Sequence, residues 1–163
     1  MQLVENGIIN GYTDGTYKPE KAVTRGEFLK LIMVALYGGN DYFEINNFNI
    51  GHWAMPYAIE ASRSGYLMNG TTVAGLDNPI SRKEMVNILA KICLKNRIEK
   101  DELGTTIEFS DTSRLDENTN MYIDFVTENG LISGYPDRTF KPEKTMTRAE
   151  VATVMGRFLD LMY

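Results

Sequence analysis

The sequence predicts an all-α fold made of three related helix–loop–helix units. Two observations predict it. A long internal repeat relates the beginning of the chain to its end. Apolar residues also recur with helical spacing after each of three Ser/Thr-Arg-x-Glu tetrads. Because one of these tetrads lies in mid-chain, we expect three units rather than two.

The repeat is strongest between residues 5–28 and residues 128–151. Aligned without a gap, the two segments agree at 15 of 24 positions, and several mismatches are conservative. A weaker copy at residues 65–85 keeps two glycines and a Ser-Arg-x-Glu ending, but its loop is one residue shorter and lacks the Asp-Gly-Thr run. The chain therefore carries two well-kept copies and one degenerate copy of the same motif.

The arginines of the three tetrads are separated by 57 and 66 residues, which indicates units of that length. We expect the units to span residues 1–37, 38–95 and 96–163, together forming one compact domain. Only six residues precede Gly7, so the first unit lacks most of its first helix. We expect the chain to be cut from a larger protein, or another element to cover that face.

Each unit reads as a first helix, a loop and a closing helix. First helices are predicted at residues 53–64 and 120–129, each stopped by a glycine suited to a left-handed helix end. The closing helices follow the tetrads, with buried stripes at i, i+3, i+4 and i+7 spacing. Residues 31–36 are apolar nearly all round, which predicts that the first closing helix is the most central one.

Composition excludes several function classes. Seventeen basic and 22 acidic residues give a net charge of -5, which argues against nucleic acid as a partner. No apolar run is long enough for a membrane span, and the first residues do not form a secretory signal, so we expect any signal to lie outside this chain. With one cysteine, Cys93, and one histidine, His52, the sequence favours no enzyme, no metal site and no cofactor. A calcium loop starting at Asn10 is disfavoured, because Lys21 stands where a glutamate is needed.

The tetrads are Thr24-Arg25-Gly26-Glu27, Ser81-Arg82-Lys83-Glu84 and Thr147-Arg148-Ala149-Glu150. All three fit the capping box, which explains the hydroxyl residue and the glutamate. The box does not explain the arginine, since a cation at the first helical position is disfavoured by about 0.3–1 kcal/mol. Two explanations stay open: an anion site made of the guanidinium and nearby amides, or a salt bridge to a loop acid, with Asp14, Asp137 and Asp111 as candidates.

The run from Gly7 to Phe28, with its Tyr-x-Asp-Gly-Thr loop and Thr-Arg-x-Glu ending, resembles the S-layer homology motif. The copy around Phe109-x-Asp111 and Thr147–Glu150 resembles it best. The resemblance implies a pseudo-threefold helical prism around a central three-helix bundle. It also implies non-covalent anchoring of an exported bacterial protein, outside the cell at the wall or S-layer, by secondary cell-wall polysaccharide bound between the units through a sugar that is often pyruvylated.

The family's ligand arginine corresponds to Arg25 and Arg148, and less closely to Arg82. The further candidate ligand-binding residues are Asp14, Asp137, Tyr12, Tyr135, Asp111 and Trp53. Because the second unit has a degenerate loop and the first a shortened helix, we expect one or two competent grooves rather than three. The alternative function is a protein-interaction or S-layer assembly module that binds no glycan, with self-association or contact to the parent protein.

Overall fold

The computed structural model describes residues 13–39, 43, 51–67, 75–98 and 108–163. These residues form five helices and isolated bridges but no β-sheet, which confirms the all-α prediction. None of the described helices is long and apolar enough to cross a membrane. The helices are α1 Arg25–Tyr37, α2 Met55–Arg63, α3 Arg82–Lys95, α4 Glu117–Glu128 and α5 Arg148–Met162.

The three long helices, α1, α3 and α5, all begin at the arginine of a tetrad, as predicted. Thr24, Ser81 and Thr147 each accept a hydrogen bond from the backbone amide of the tetrad's glutamate. Each glutamate reaches back to the backbone amide of the capping residue, so all three capping boxes are complete. The position of the arginines at the first helical residue is therefore confirmed.

The two shorter helices differ from the prediction at their starts. Helix α4 begins three residues earlier than expected, because Asp116 caps it by accepting from the amide of Thr119. Helix α2 begins at Met55, two residues after Trp53. Past both helix ends the chain turns at a glycine in the left-handed region, with φ of 67° at Gly65 and at Gly130.

The core lies between the long helices and the short ones. Helix α1 packs against α2, and α3 packs against α4. Helix α3 is the most buried of the five, since every residue from Met85 to Ala90 is buried, with at most 7% of its surface exposed. The expectation that α1 is the most central helix is wrong, because Leu31, Ala35 and Leu36 are only partly covered despite their apolar character.

A closed ring of backbone hydrogen bonds ties the starts of the three long helices together. The Ile80 amide donates to the Val23 carbonyl at 2.9 Å, the Val23 amide to the Met146 carbonyl at 2.9 Å, and the Met146 amide to the Ile80 carbonyl at 3.1 Å. All three side chains are buried, with at most 2% of their surface exposed. Each residue directly precedes a tetrad, so the ring gives this end of the protein a pseudo-threefold arrangement.

Candidate ligand-binding site

The first turn of each long helix sits on a loop that leads to another long helix. We call residues 13–23 the first loop, residues 75–80 the second and residues 133–146 the third. The amides of Arg25 and Gly26 donate to Asn78 and Leu76 in the second loop, at 2.9 and 2.8 Å. In the same way, the first two amides of α3 donate to carbonyls of the third loop, and the first two amides of α5 donate to carbonyls of the first loop.

These contacts use the amides that an anion would need. In every long helix the amides of the first two helical residues donate to loop carbonyls, and the amide of the third donates to the capping hydroxyl. The expectation that helix-start amides form an anion site with the arginine is therefore wrong. The guanidinium groups alone remain as candidate anion-binding groups.

Arg25 is held by partners on two sides. Its Nε and Nη2 atoms lie 2.8 and 2.6 Å from Oε1 of Glu84, and Nη1 donates to the Gly75 carbonyl at 3.2 Å. A guanidinium carries five N–H groups, so two of those on Arg25 have no acceptor among the described residues. The side chain is 30% exposed, which lets a ligand reach them from solvent.

A substitution in the second loop explains why Arg25 binds Glu84. The other two capping glutamates each pair with a lysine of their own loop: Glu27 with Lys21 at 3.5 Å, and Glu150 with Lys144 at 2.6 Å. In the second loop Asn78 occupies the place of these lysines, as its carbonyl contact to the Arg25 amide shows. Glu84 therefore has an oxygen available for the arginine of a different tetrad.

The Glu84 carboxyl keeps its charge to a lower pH than an ordinary glutamate. Burial of the Glu84 carboxyl raises its pKa, but hydrogen bonds from Ser81 and Arg25 outweigh this effect, so the pKa lies below its ordinary value. Since the side chains of both partners are 30% exposed, solvent screens the pair, and it contributes little to stability. We therefore regard Glu84 as the group that orients Arg25.

Arg82 occupies a different environment. It is 4% exposed, and its Nε and Nη2 atoms donate to the carbonyls of Phe140 and Ser133 at 2.7 and 2.9 Å. Its guanidinium carbon lies 5.0 Å from the Tyr135 ring centre and 4.6 Å from the Phe140 ring centre. Burial lowers the pKa of this guanidinium. The expectation that Arg82 contacts a ligand is contradicted by this burial, and its role here is to hold α3 on the third loop.

Arg148 is intermediate between these two cases. Its Nε donates to the Tyr17 carbonyl at 2.9 Å, and its guanidinium carbon lies 4.7 Å from the Tyr17 ring centre. The Tyr17 hydroxyl donates to the Arg148 carbonyl in return, at 3.3 Å. The side chain is partly exposed, so Arg148 stays a candidate ligand-binding residue.

The three candidate loop acids shape their loops. Asp14 accepts from the amide and hydroxyl of Thr16, and Asp137 accepts in the same way from Thr139. These bonds, with smaller contributions from the lysine four residues on, lower the pKa of both carboxyls. Asp111 accepts from the amides of Phe140 and Lys141, each at 2.8 Å. For Arg25 the acidic partner is thus Glu84 and none of these three.

Of the two candidate tyrosines, Tyr135 covers Arg82 and accepts a hydrogen bond from Lys144 Nζ at 2.9 Å. Tyr12 lies outside the described residues.

Trp53 lies on the segment that packs against the first turn of α1. It is 53% exposed and directly precedes Ala54, which packs so closely on Gly26 that a Cβ built on that glycine would lie 2.8 Å from the Ala54 Cβ. Because Gly26 follows Arg25, the segment that carries Trp53 meets the same helix start as Arg25. An exposed indole offers a flat apolar face.

His52 is a residue of this junction that the sequence left as a plain helix-start residue. Its Nδ1 lies 3.1 Å from the Ala54 amide and its Nε2 lies 3.2 Å from Asp77 Oδ1. Glu84 also went unrecognised as a partner of Arg25. The one available signal for Glu84 was the asparagine at position 78, where the other two units have lysine.

The S-layer homology domain model matches residues 1–29 and 108–152. Both matched segments carry an intact loop followed by a complete tetrad. These two segments are similar to the S-layer homology domain. The resemblance found in the sequence is thereby confirmed, and the degenerate middle copy lies outside the matched segments.

Proteins with similar sequence include surface proteins and an enzyme. The chain is 28% identical over 163 residues to a cellulosome-anchoring protein of Acetivibrio thermocellus, covering 94% of this chain and 35% of that protein. It is 24% identical to the surface-layer 125 kDa protein of Lysinibacillus sphaericus, over 98% of this chain and 14% of that protein. It is 28% identical to an amylopullulanase of Thermoanaerobacterium thermosulfurigenes, over 97% of this chain and 9% of that protein. The chain thus spans about a third of the relative's length in the first case and less in the other two.

Proposed function

We propose that this chain anchors a larger protein to the bacterial cell wall by binding an anionic wall polysaccharide. Two similarities support the proposal: the S-layer homology segments, and relatives named for anchoring or for the surface layer. The function is non-catalytic. The amylopullulanase relative is consistent with this, because the similarity covers only 9% of that enzyme.

The observation that carries the proposal is the state of Arg25. Of the three tetrad arginines, Arg82 is buried by the third loop and Arg148 stacks on Tyr17. Arg25 is partly exposed, has two N–H groups that no described residue accepts, and begins the helix whose first turn packs against the segment that carries the exposed Trp53. A charged donor pair beside an apolar face suits a carboxylate attached to a sugar ring.

A pyruvyl ketal on a pyranose has both features. Its carboxylate accepts from the remaining guanidinium N–H groups of Arg25, and the pyranose packs on the face of Trp53. The chain itself has a net charge of -5, so general attraction does not explain binding to an anionic polymer. Recognition instead depends on a local cation that Glu84 holds in a fixed orientation.

Arg148 provides a second, weaker contact in this proposal. The junction of α5 with the first loop has the same backbone arrangement as the Arg25 junction, with Tyr17 as its aromatic partner. We therefore expect one principal groove at Arg25 and a subsidiary one at Arg148.

The test is binding to purified wall polysaccharide, with and without chemical removal of the pyruvyl group. We expect Arg25→Ala and Trp53→Ala each to weaken binding at least tenfold. The matched controls are Arg114→Ala, which removes an exposed arginine before α4, and Met121→Ala, which removes a side chain that is 49% exposed on α4. Both controls should bind normally.

Two results would reject the proposal. Equal affinity for the intact and the pyruvyl-free polymer would exclude recognition of the carboxylate. Binding that is unchanged in Arg25→Ala would exclude the Arg25 groove. Capture of a surface protein in place of any glycan would support an assembly module instead.

A further inference from the structure

We propose that Asn78 is a specificity-determining residue of the Arg25 groove, because it keeps the groove free of net positive charge and so restricts the ligand to a sugar with one well-placed carboxylate. By the Arg25 groove we mean the junction of the start of α1 with the second loop. This inference rests on the proposed function. It deepens that function by assigning the charge selectivity of the groove to a residue of the second loop.

The three loops share one backbone arrangement where each meets a helix start. In each, the last residue of a four-residue turn donates its amide to the carbonyl of the first, at 2.9 to 3.1 Å, and these turns are 18–21, 75–78 and 141–144. The first residue of every turn has a positive φ, between 52° and 84°. The carbonyl of the last residue accepts from the first amide of a long helix, at 2.9 Å in all three. Asn78 therefore corresponds to the lysine that ends each of the other two turns, and Gly75 to the lysine that begins it.

The capping glutamates show what this difference does. In all three tetrads one carboxylate oxygen, Oε2, accepts from the amide of the capping residue at 2.9 Å. The other oxygen, Oε1, accepts from the lysine that ends the turn in the first and third loops, for Glu27 and Glu150. In the second loop the turn ends in an uncharged asparagine, and Oε1 of Glu84 accepts from Arg25 instead. The arginine thus takes the oxygen that a lysine takes in the other two tetrads.

Gly75 lets the guanidinium approach the second loop beside Asn78. A Cβ built on Gly75 would lie 3.3 Å from Arg25 Nη1 and 2.8 Å from Asn78 Nδ2. The Gly75 carbonyl also accepts from Arg25 Nη1, at 3.2 Å. The side chains of Arg25 and Asn78 therefore meet over the same glycine. We expect a lysine at position 78 to reach Glu84 from here, as Lys144 reaches Glu150 at 2.6 Å.

The charge balance at the helix starts follows from these contacts. Burial raises the pKa of Glu150, but hydrogen bonds from Lys144 and Thr147 and the charges of Lys144 and Arg82 lower it below its ordinary value, so two cations act on this carboxylate. The cation that acts on Glu84 among the described residues is Arg25 alone, and the two charges cancel.

The residue before the end of each turn does not change this comparison, since it is acidic in all three loops: Glu20, Asp77 and Glu143. Without net positive charge, the Arg25 groove attracts a distant anion weakly, and binding depends on hydrogen bonds at short range, which salt screens little. A sugar with one carboxylate can accept from the remaining N–H groups of Arg25, whereas a polymer of high charge density gains nothing further.

The experiment measures affinity for two purified polymers, pyruvylated wall polysaccharide and poly(glycerol phosphate), at about 0.05 M and about 0.5 M salt. Three variants are compared with the wild-type chain. Asn78→Lys supplies the cation of the other two loops at a backbone position that accepts lysine there. Glu84→Gln removes the carboxylate charge, while glutamine still completes the capping box. Thr153→Lys, at an exposed position of α5, is the matched control for one added positive charge.

We expect the wild type to bind the pyruvylated polymer with nearly equal affinity at both salt concentrations and to bind poly(glycerol phosphate) much more weakly. Asn78→Lys and Glu84→Gln should both bind poly(glycerol phosphate) severalfold more tightly than wild type at low salt and lose this gain at high salt, because salt screens the added charge. Thr153→Lys should show no gain. Nitrogen NMR of the unliganded protein should show faster solvent exchange of the Arg25 Nε–H in Asn78→Lys, because the new lysine takes the Glu84 oxygen.

The inference is overturned if Asn78→Lys and Glu84→Gln keep the wild-type affinity for poly(glycerol phosphate) at low salt, or if Thr153→Lys gains as much as Asn78→Lys. Unchanged exchange of the Arg25 Nε–H in Asn78→Lys would also overturn it. Failure of the proposed function has a different signature. In that case the wild type shows no affinity for the polysaccharide, or Arg25→Ala binds normally, while the Arg25 Nε–H still exchanges faster in Asn78→Lys.

Discussion

Replacing Arg82 with alanine should destabilise the protein far more than the same change at Arg25. Arg82 donates two buried hydrogen bonds to the carbonyls of Phe140 and Ser133, and its guanidinium lies over two aromatic rings. Bonds from a charged donor contribute about 1.5–3 kcal/mol each, and the burial penalty of the cation offsets part of this sum. We therefore expect the free energy of unfolding to fall by about 3 kcal/mol.

The corresponding loss at Arg25 is much smaller. Its ion pair with Glu84 is 30% exposed on both sides, and a pair of this kind contributes about 1 kcal/mol or less. For a chain of this size, 1 kcal/mol shifts the melting temperature by about 2–4 °C. Arg82→Ala should thus lower it by about 6–12 °C and Arg25→Ala by at most about 4 °C.

Thermal unfolding followed by far-UV circular dichroism measures both shifts, with Arg157→Ala as the control for an exposed arginine. Wall-polysaccharide binding of the same variants, measured well below their melting temperatures, should show the reverse order. Equal melting temperatures for Arg82→Ala and Arg25→Ala would show that burial does not separate the two arginines, and the reasoning would be wrong.

Three further predictions concern single sites in the loops and helices. Gly26→Ala should lower the free energy of unfolding by about 1–3 kcal/mol in chemical unfolding, because the new Cβ meets Ala54 Cβ at 2.8 Å and the Leu76 carbonyl at 3.2 Å. Gly156→Ala in α5 should instead raise it by up to about 1 kcal/mol, because a Cβ built on Gly156 meets no described atom beyond its own helix backbone within 4 Å. Lys141→Gly should raise the melting temperature slightly, because Lys141 has φ of 56°, a backbone conformation that costs a residue with a Cβ about 1 kcal/mol. An unchanged or lower melting temperature would mean that the contacts of Lys141 with Asp137 and Tyr135 contribute more than the strain costs. Hydrogen bonds from Thr119 lower the pKa of Asp116. The stability that the ionised Asp116 confers is therefore complete above about pH 4 and is lost as the pH falls through the folded-state pKa. Between about pH 4 and pH 2 the melting temperature of Asp116→Asn should accordingly change less than that of wild type.

Local features of the fold could be predicted from sequence because they depend on neighbouring residues. A capping box joins residues three positions apart, so Thr24 and Glu27 predict the start of α1 without any tertiary information. The same holds for the glycines that follow α2 and α4. The apolar residue before each tetrad was also visible in the repeat, although its part in the backbone ring was not, since that ring joins residues far apart in the chain.

The partners of the arginines required the tertiary structure. Arg25 meets Glu84 across 59 residues and Arg82 meets Phe140 across 58, and nothing local in the sequence links either pair. The three tetrads look nearly equivalent as sequences, yet Tyr135 and Phe140 bury one guanidinium while another is 30% exposed and keeps two N–H groups without an acceptor in the described part of the chain. Exposure and pairing of a charge depend on what the neighbouring loop places over it.

The sequence by itself determined the repeat, the all-α class, the three capped helix starts and the arginine at the first position of each, because these follow from short-range backbone chemistry and apolar spacing. The tertiary structure alone decided which arginine stays partly exposed and which acid orients it. Those properties arise where helix starts meet loops of another repeat, and their free energies depend on burial and on partners distant in sequence.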